Sequence, residues 1–252
     1  MEMLKLHHLQ IGYKAQGKPK EVRVLTPPIN AFVNKGEMVA LSGPNGAGKS
    51  TLFRTIAGMQ PALDGNIEIA GKTLSSLNLH QLSRMLSIVF TDRITDAYLT
   101  VFDLVSAGRY PYINQWMQLS KLDRQIIFES MEMAGIKQFA SRLFKSLSDG
   151  EKQKVLIAKA LAQDTPLILL DEPSAFLDYP SKLNLLKLLK QLCVDTQKTI
   201  LLSSHDLDMI LKHVDTLWLM APQMPLVSGT PKQLVENKTI DQYFGLAFEE
   251  NV

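Results

Sequence analysis

Residues 43–50 read Gly-Pro-Asn-Gly-Ala-Gly-Lys-Ser and match the pattern G-x-x-x-x-G-K-[ST] of a phosphate-binding loop. The glycines let the backbone curl so that several N–H groups point at one phosphate chain. The apolar run Glu37–Ser42 before the loop predicts a strand, and Thr51–Ala57 after it predicts a helix that Gly58 ends. A simple glycine turn would not need this setting, so the strand–loop–helix order favours a P-loop nucleotide-binding fold.

The loop assigns a separate chemical task to several of its residues. Lys49 is expected to reach the β- and γ-phosphates of a nucleotide as a point charge, which makes it a catalytic candidate. Ser50 is expected to offer its hydroxyl to Mg²⁺, and the start of the following helix favours the same anion. The predicted nucleotide-binding residues of this stretch are Gly43, Pro44, Asn45, Gly46, Ala47, Gly48, Lys49, Ser50 and Thr51.

The composition is that of an ordinary globular protein. The 252 residues are 46% hydrophobic and 21% charged, with a formal net charge of +2. This near-neutral charge does not indicate a nucleic-acid-binding surface or a polybasic membrane anchor. The single cysteine, Cys193, excludes an internal disulfide and is expected to be a buried structural thiol. With no signal peptide and no apolar run long enough to span a bilayer, we expect a cytoplasmic chain that reaches a membrane only through a partner.

The order of strand-like and helix-like segments predicts an α/β fold. Three apolar runs in the second half of the chain are typical of strands buried on both faces: 166–170, 199–203 and 216–220. Helical segments are expected between them at 180–193 and 206–214. Such alternation predicts a mainly parallel core sheet covered by helices.

The first part of the chain predicts an antiparallel β region. Strand patterns are expected at 4–13 and at 22–33, where Pro27-Pro28 interrupts the pattern, with a hairpin around Gly71-Lys72. Residues 86–90 predict another short strand. Residues 91–155 have helical texture and are expected to form a helical subdomain inserted into the α/β core. The whole chain, 1–252, is therefore predicted to be a single domain whose core consists of residues 1–90 and 156–252.

Acidic residues and a histidine follow two of the predicted core strands. Asp171 and Glu172 end the run Leu167–Leu170, and the carboxyl edge of a parallel sheet is where ligands bind. Asp171 is expected to hold Mg²⁺, and Glu172 to accept a proton from an attacking water. His205 follows the next strand and is expected at the γ-phosphate. A solvated strand end and an ordinary polar histidine are the alternatives if these residues are taken alone.

Two further motifs complete a recognisable order. Leu147-Ser-Asp-Gly-Glu151 resembles the signature Leu-Ser-Gly-Gly-Gln, although Ser148-x-x-Glu151 is also a capping box for a helix. The segment 174–178, which ends at Asp178, resembles the D-loop that follows the Asp-Glu strand. Tyr13 lies 30 residues before Gly43, and proteins with this order of motifs have an adenine-stacking aromatic residue at a similar distance before the loop. Tyr13 is also compatible with an ordinary tyrosine on a strand. Together these motifs resemble the nucleotide-binding subunit of an ABC transporter over nearly the whole chain.

The resemblance implies ATP and Mg²⁺ as cofactors and a head-to-tail homodimer. Each ATP would lie between the phosphate loop of one copy and the signature of the other, formed by Ser148, Asp149, Gly150 and Glu151, with Asp178 nearby. It also implies two membrane permease subunits as partners, an indirect extracytoplasmic substrate-binding protein and a place at the cytoplasmic face of the inner membrane. No nucleic-acid partner is expected.

A finer likeness lies in the helical stretch. The segments Thr100–Tyr112 and Leu119–Asp123 are similar to the subfamily that serves iron–siderophore, haem and vitamin B12 importers. In that subfamily this part of the chain docks on the permease. The likeness implies uptake of an iron complex or of vitamin B12.

The sequence departs from the family pattern at two places. The family usually has a glutamine after the strand at 86–90, but Thr91 and Asp92 stand there; either could replace it, and Thr91 could contribute a hydroxyl to the metal shell. In the signature, Asp149 replaces a glycine and Glu151 a glutamine, so two carboxylates would approach a γ-phosphate unless they pair with nearby lysines. Weak ATP-driven dimerisation is a possible consequence.

Two other classes of protein remain as alternatives. A soluble ABC ATPase in metallocluster assembly or another non-transport role would carry the same motifs, but it would not explain the importer-like segment at Arg109–Tyr112. A nucleic-acid-acting relative is disfavoured by the near-neutral charge. A small-molecule kinase with a phosphate loop would lack the signature and the D-loop.

Overall fold

Among the residues that the structure describes, twelve strands in three sheets and nine α-helices make up the fold. The computed structural model describes residues 1–14, 22–91, 98–113 and 118–245, and the strands and helices below lie within these ranges. The strands are β1 Glu2–Gln10, β2 Gly12–Lys14, β3 Val22–Val24, β4 Ile29–Asn34, β5 Met38–Ser42, β6 Asp64–Ile69, β7 Lys72–Thr73, β8 Leu86–Val89, β9 Leu167–Leu170, β10 Thr199–Ser203, β11 Thr216–Leu219 and β12 Val227–Gly229.

The helices are concentrated in the middle and at the end of the chain. They are α1 Lys49–Ile56, α2 Leu79–Leu82, α3 Val101–Ser106, α4 Lys121–Met133, α5 Asp149–Ala162, α6 Tyr179–Thr196, α7 Leu207–Ile210, α8 Pro231–Glu236 and α9 Thr239–Phe244. Short 3₁₀ turns lie at Leu74–Ser76, Ala107–Arg109, Lys137–Phe139 and Phe144–Ser146. Among the described residues, no helix combines the length and the apolar character needed to span a membrane.

The largest sheet is the core of the α/β fold. Its six strands have the order β12-β11-β5-β10-β9-β8, and all neighbours are parallel except β11 and β12. All residues of β5, β9 and β10 are buried because helices and a second sheet cover both faces. The predicted α/β fold with a mainly parallel core sheet is therefore confirmed.

The predicted N-terminal antiparallel region is also present. Strand β1 pairs with β4 on one side and β6 on the other, in the order β4-β1-β6-β7. One strand was expected over 4–13, but β1 ends at Gln10 and β2 pairs with β3 in a separate two-stranded sheet. A Cβ on Gly12 would lie 2.0 Å from the Arg23 carbonyl oxygen, so only glycine allows β2 and β3 this close.

Three hydrophobic clusters hold these layers together. One lies between the antiparallel sheet, α1 and one face of the core sheet, and a second covers the opposite face under α6. The third joins α3, α4 and α5. Helix α5 contributes to two clusters, since Val155 and Ala158 belong to the helical cluster and Ile157 and Leu161 to the core. One continuous helix therefore connects the helical region with the core sheet.

Two details of the second half of the chain follow from burial and local hydrogen bonding. Cys193 is buried, as predicted, and this burial raises the pKa of its thiol to about 12. The helix expected over 206–214 is shorter, because α7 ends at Ile210. The next amides make tighter i→i+3 bonds, such as His213 N–H to the Ile210 carbonyl oxygen at 3.0 Å.

Candidate functional site

The predicted site residues of the sheet meet at one edge because parallel strands end on the same side. Strand β5 leads into the phosphate loop, β9 into Asp171 and Glu172, and β10 into His205. Strand β8 leads towards Thr91 at the same edge. This is the edge at which open parallel sheets bind ligands.

The phosphate loop has the backbone shape that its glycines permit. A Cβ on Gly43 would lie 1.8 Å from the Met220 carbonyl oxygen, so the loop passes the end of β11 at a distance that excludes a side chain. Gly46 has a φ of 80° and open space around it, which leaves room for a ligand against the backbone. Helix α1 begins at Lys49, within the last two residues of the loop motif, and Ser50 is exposed in its first turn. These features fit a bound phosphate group.

Lys49 is buried inside this loop. Its ammonium donates to the carbonyl oxygens of Gly43 at 2.8 Å and Pro44 at 3.2 Å. Burial lowers the pKa of Lys49, and the nearby carboxylates of Glu172 and Asp171 partly offset this effect. A phosphate oxygen could replace the Gly43 or the Pro44 carbonyl oxygen as the acceptor for this desolvated ammonium.

Tyr13 lies beside the helix that follows the loop. Its hydroxyl and that of Thr51 are 2.6 Å apart and share a hydrogen bond. Tyr13 is 47% exposed, so about half of its surface is accessible to solvent. The structure thus brings Tyr13 and Thr51 to the phosphate loop, as expected, and the stacking of Tyr13 on adenine stays a prediction.

A buried serine that the sequence analysis did not select organises Asp171 and Glu172. Ser203, at the end of β10, donates to Asp171 Oδ1 at 2.7 Å and accepts from the Glu172 N–H at 2.8 Å. Thr91 donates its hydroxyl to the Asp171 carbonyl oxygen at 2.8 Å. The only sequence signal for Ser203 is a hydroxyl residue at the end of an apolar run. The Thr91 metal role stays a prediction, and Asp92 lies outside the described residues.

Glu172 and His205 face each other at the sheet edge. His205 Nδ1 lies 3.5 Å from Glu172 Oε2, and His205 Nε2 lies 3.9 Å from Asp206 Oδ1. Lys182, on α6, forms an ion pair with the other Asp206 oxygen at 2.8 Å. Sequence reasoning found Glu172 and His205 but missed Asp206 and Lys182, whose pairing joins residues 24 positions apart.

The signature residues lie at the start of α5 and, together with Asp178 at the start of α6, form a second group. Ser148 caps α5 in a capping box, and its N–H donates to Glu151 Oε2 at 2.8 Å. Hydrogen bonds from the backbone and hydroxyl of Ser148 lower the pKa of Glu151. Asp149 lies 3.6 Å from the Lys152 ammonium, which is one of the pairings expected for this acidic signature. Both the capping box and the signature motif therefore describe the same helix start.

Asp178 begins the neighbouring helix α6. It accepts a hydrogen bond from the Ser181 N–H at 3.1 Å, and this contact lowers the pKa of the Asp178 carboxyl. A cavity of about 160 Å³ lies between the two helix starts. Its lining residues include Ser148, Gly150, Leu177 and Ser181. Asp178 and the signature are thus adjacent elements of one surface.

The edge of the sheet carries oxygen ligands of the kind that Mg²⁺ uses. Among the described residues, no group of three or more His, Cys, Asp or Glu side chains could hold a metal ion. Mg²⁺ usually binds through one or two protein oxygens, waters and substrate phosphates. The Ser50 hydroxyl and the Asp171 carboxylate are oxygen ligands of this kind.

Arg109 and Tyr112 of the importer-like segment are structural anchors. Arg109 is 4% exposed and pairs with Asp123 at 2.9 Å, and its guanidinium stacks 3.9 Å from the Tyr112 ring centre. The Tyr112 hydroxyl donates to the Gln163 carbonyl oxygen at 3.0 Å, just beyond the end of α5. These contacts connect the helical region with the end of the helix that enters the core.

A family model described as ABC transporter matches residues 27–175 of this chain. The matched range contains the phosphate loop, the signature and the Asp171–Glu172 strand end. The chain belongs to the ABC transporter family. Given the arrangement of its phosphate loop and acidic strand end, it is an ABC ATPase, which binds and hydrolyses ATP.

Curated relatives of this ABC ATPase match it along most of their length. An uncharacterized ABC transporter ATP-binding protein of Methanocaldococcus jannaschii is 33% identical over 244 residues, which is 97% of this chain and 82% of the relative. The iron(3+)-hydroxamate import ATP-binding protein of Bacillus subtilis (strain 168) is 32% identical over 249 residues, covering 99% of this chain and 90% of that protein.

Solved structures of ABC proteins share its fold. An inward-facing ABC transporter assigned to the metal-chelate type has a TM-score of 0.84 at 26% identity, covering 98% of this chain and 90% of the other. A dimeric ATP-binding cassette in a post-hydrolysis state with ADP and Pi has a TM-score of 0.77 at 25% identity, covering 91% and 99%. The likeness extends over the core sheet and the helical region of this ABC ATPase.

Proposed function

We propose that this chain is the ATP-hydrolysing subunit of an importer that takes up an iron complex, such as a siderophore or haem, or vitamin B12. The observation that carries this proposal is the convergence of Lys49, Asp171, Glu172 and His205 on one sheet edge. The import role of the Bacillus subtilis relative and the metal-chelate type of the structural neighbour support an iron complex as the cargo.

Each residue of this edge has a task in the proposed hydrolysis. Lys49 gives up its carbonyl partners and offsets charge on the β- and γ-phosphates, while Glu172 accepts a proton from the attacking water. His205 contacts the γ-phosphate, and Tyr13 stacks on the adenine. Ser50 and Asp171, with Thr91 as a further candidate, would hold Mg²⁺, which would neutralise charge on the phosphates.

A second copy of the chain completes the site in this proposal. Two copies pair head to tail, so that Ser148, Asp149, Gly150 and Glu151 of one copy approach the ATP held by the other, with Asp178 beside them. The structural likeness to a dimeric cassette supports this arrangement. Because the site is split between copies, closure depends on ATP and hydrolysis releases it.

The partners of the dimer are two membrane permease subunits. The helical segment 91–155 is the proposed docking region of a single domain that spans 1–252. An apolar groove of about 490 Å³ lies on the core, and Leu82, Phe90 and Leu156 contribute to its lining. Phe90 and Leu156 directly precede and follow the helical segment in sequence. Met59, 62% exposed, and Leu79, 82% exposed, border it and favour a protein partner. The chain would sit at the cytoplasmic face of the inner membrane, with an extracytoplasmic substrate-binding protein as an indirect partner.

Substitution of Glu172 tests the catalytic part of the proposal. We expect Glu172→Gln to keep ATP binding but to lower turnover by at least about a hundredfold, because the amide cannot accept the proton. Glu236→Gln, an exposed change on α8, is the matched control and should leave turnover at the wild-type level. Near-wild-type turnover of Glu172→Gln would remove Glu172 as the base.

Isolation of partners tests the transport part. The tagged chain is purified from detergent-solubilised membranes of its own source, and its partners are identified by mass spectrometry. A polytopic permease in near-equal amount is the expected result, and its identity would indicate the cargo. An active ATPase found only with soluble proteins would instead support metallocluster assembly or another non-transport role.

A further inference from the structure

Two side-chain hydroxyls hold the peptide group that joins Asp171 to Glu172. Thr91, after β8, donates to the carbonyl oxygen of this peptide at 2.8 Å. Ser203, at the end of β10, accepts from the N–H of the same peptide at 2.8 Å. Since β8 and β10 flank β9, both polar groups of one peptide are fixed from the two neighbouring strands.

Ser203 has a second partner that sets the direction of its proton. It donates to Asp171 Oδ1 at 2.7 Å, so its hydroxyl oxygen is left to accept from the Glu172 N–H. Ser203 is fully buried and Asp171 is 4% exposed, so water does not readily replace these bonds. A buried polar group that loses such a partner is costly, which makes the arrangement rigid.

The backbone of Glu172 needs this support. Its φ is +45°, in the left-handed region that residues other than glycine seldom adopt. Such a conformation persists when the surrounding structure over-determines it. The direction in which the Glu172 side chain leaves the backbone therefore depends on the plane of the Asp171–Glu172 peptide.

We propose that Thr91 and Ser203 form a hydroxyl clamp that positions Glu172 to accept a proton from the attacking water and Asp171 to hold its metal. The proposal rests on the proposed function, because these orientations matter only if ATP is hydrolysed at this edge. It gives Thr91, which stands where the family usually has glutamine, a positioning role through its hydroxyl. A water molecule misplaced by about 1 Å can cost a large part of the rate.

Removal of each hydroxyl should lower kcat without weakening ATP binding. We expect Ser203→Ala and the nearly isosteric Thr91→Val each to reduce kcat by about tenfold or more. The equilibrium affinity for ATP measured without Mg²⁺ should stay within about twofold, because the phosphate loop is untouched. Thr91→Ser, which keeps the hydroxyl, should recover most of the rate that Thr91→Val loses.

Ser87→Ala separates positioning from a general loss of stability. Ser87 is also buried and also lies in the core sheet, on β8, and its hydroxyl is 3.0 Å from that of Thr165. We expect Ser87→Ala to lower the free energy of unfolding, measured in urea, about as much as Ser203→Ala and Thr91→Val do. Its kcat should equal that of the wild type. If Ser203→Ala and Thr91→Val lower kcat no more than Ser87→Ala does, the clamp is wrong.

A double-mutant cycle tests whether the two hydroxyls act on one peptide. The combined Thr91→Val and Ser203→Ala variant should lose clearly less rate than the product of the two single losses. Independent, multiplicative losses would overturn a shared action. A wild-type chain without ATPase activity would overturn the proposed function and the clamp together. If the wild type hydrolyses ATP and Glu172→Gln does not, the proposed function stands, and a negative result for Thr91 and Ser203 would overturn the clamp alone.

Discussion

At the scale of single residues, the buried ammonium of Lys49 is placed to bind phosphate, but its burial lowers the stability of the fold. The ammonium is buried among loop carbonyl groups, and burial lowers its pKa although Glu172 and Asp171 oppose the shift. The unfolded chain therefore binds this proton more tightly than the folded chain. As the pH rises through the lowered pKa towards the ordinary value of ~10.4, the folded chain loses the proton first. The contribution of Lys49 to the free energy of unfolding then increases.

This sign gives a prediction for the chain without nucleotide. Between about pH 8 and about pH 10, the wild type should gain stability relative to Lys49→Met, which has no proton to lose. Urea unfolding at both pH values measures the difference. Lys232→Met, an exposed change on α8, should give no comparable gain. A wild type that loses stability relative to Lys49→Met over this range would contradict the assigned direction of the pKa.

At the scale of helices and strands, the importer-like segment is held by a buried ion pair. Arg109 bonds to Asp123 at 2.9 Å and to the Ala162 carbonyl oxygen at 2.9 Å, so it links α4 to the end of α5. Burial disfavours the charged form of Asp123, but hydrogen bonds from Ser120 and Arg109 keep its pKa below the ordinary value. The pair therefore stabilises the fold above the ordinary carboxyl pKa and loses this effect as the pH falls through the lowered one.

We predict that Arg109→Met lowers the free energy of unfolding by about 3–5 kcal/mol, because it leaves the buried Asp123 carboxylate without its partner. Chemical denaturation at neutral pH measures this loss. Arg124→Met, on the exposed face of α4, is the control and should change stability by no more than about 0.5 kcal/mol. A loss for Arg109→Met that does not exceed the control would show that the pair contributes little.

The elements of the fold were predictable to different degrees. Strands β5, β9 and β10 and the start of α1 follow from short apolar runs and one loop motif, which are local properties of the sequence. Local patterns did not predict the break of the first strand at Ile11, because it depends on the close approach of Gly12 to Arg23. Helix ends such as that of α7 are equally difficult, since the last turn can tighten without any change in composition.

Some residues of the candidate site could be predicted from the sequence, and others could not. Lys49 was predicted from the motif of the phosphate loop, and Asp171, Glu172 and His205 were predicted from their places after strands of the core sheet. Ser203 and Thr91 were not recognised as partners of the Asp171–Glu172 peptide, since their contacts join three strands that are distant in sequence. Serine and threonine are common at strand ends, so nothing in their type signals such a role. Only the three-dimensional register brings these hydroxyls to one peptide.

At the scale of the whole molecule, the predicted site residues form two groups on different elements. One surrounds the phosphate loop at the edge of the core sheet, and the other lies at the starts of α5 and α6. The proposed head-to-tail dimer combines the first group of one copy with the second group of the other. In that dimer the charge of Glu151 would affect association, because its carboxylate would face the phosphates bound by the partner copy.

Glu151→Gln should therefore strengthen ATP-driven dimerisation. Glutamine can keep the capping box with Ser148, so the start of α5 is preserved while one negative charge is removed. Because both sites of the dimer gain, we expect dimerisation about three- to tenfold tighter with ATP, in a Glu172→Gln background that prevents hydrolysis. Sedimentation velocity at low salt measures this, and the gain should shrink as salt screens the charges. Glu236→Gln in the same background is the control. If Glu151→Gln leaves the ATP-dependent dimer unchanged or weaker, the Glu151 carboxylate points away from the phosphates of the partner copy.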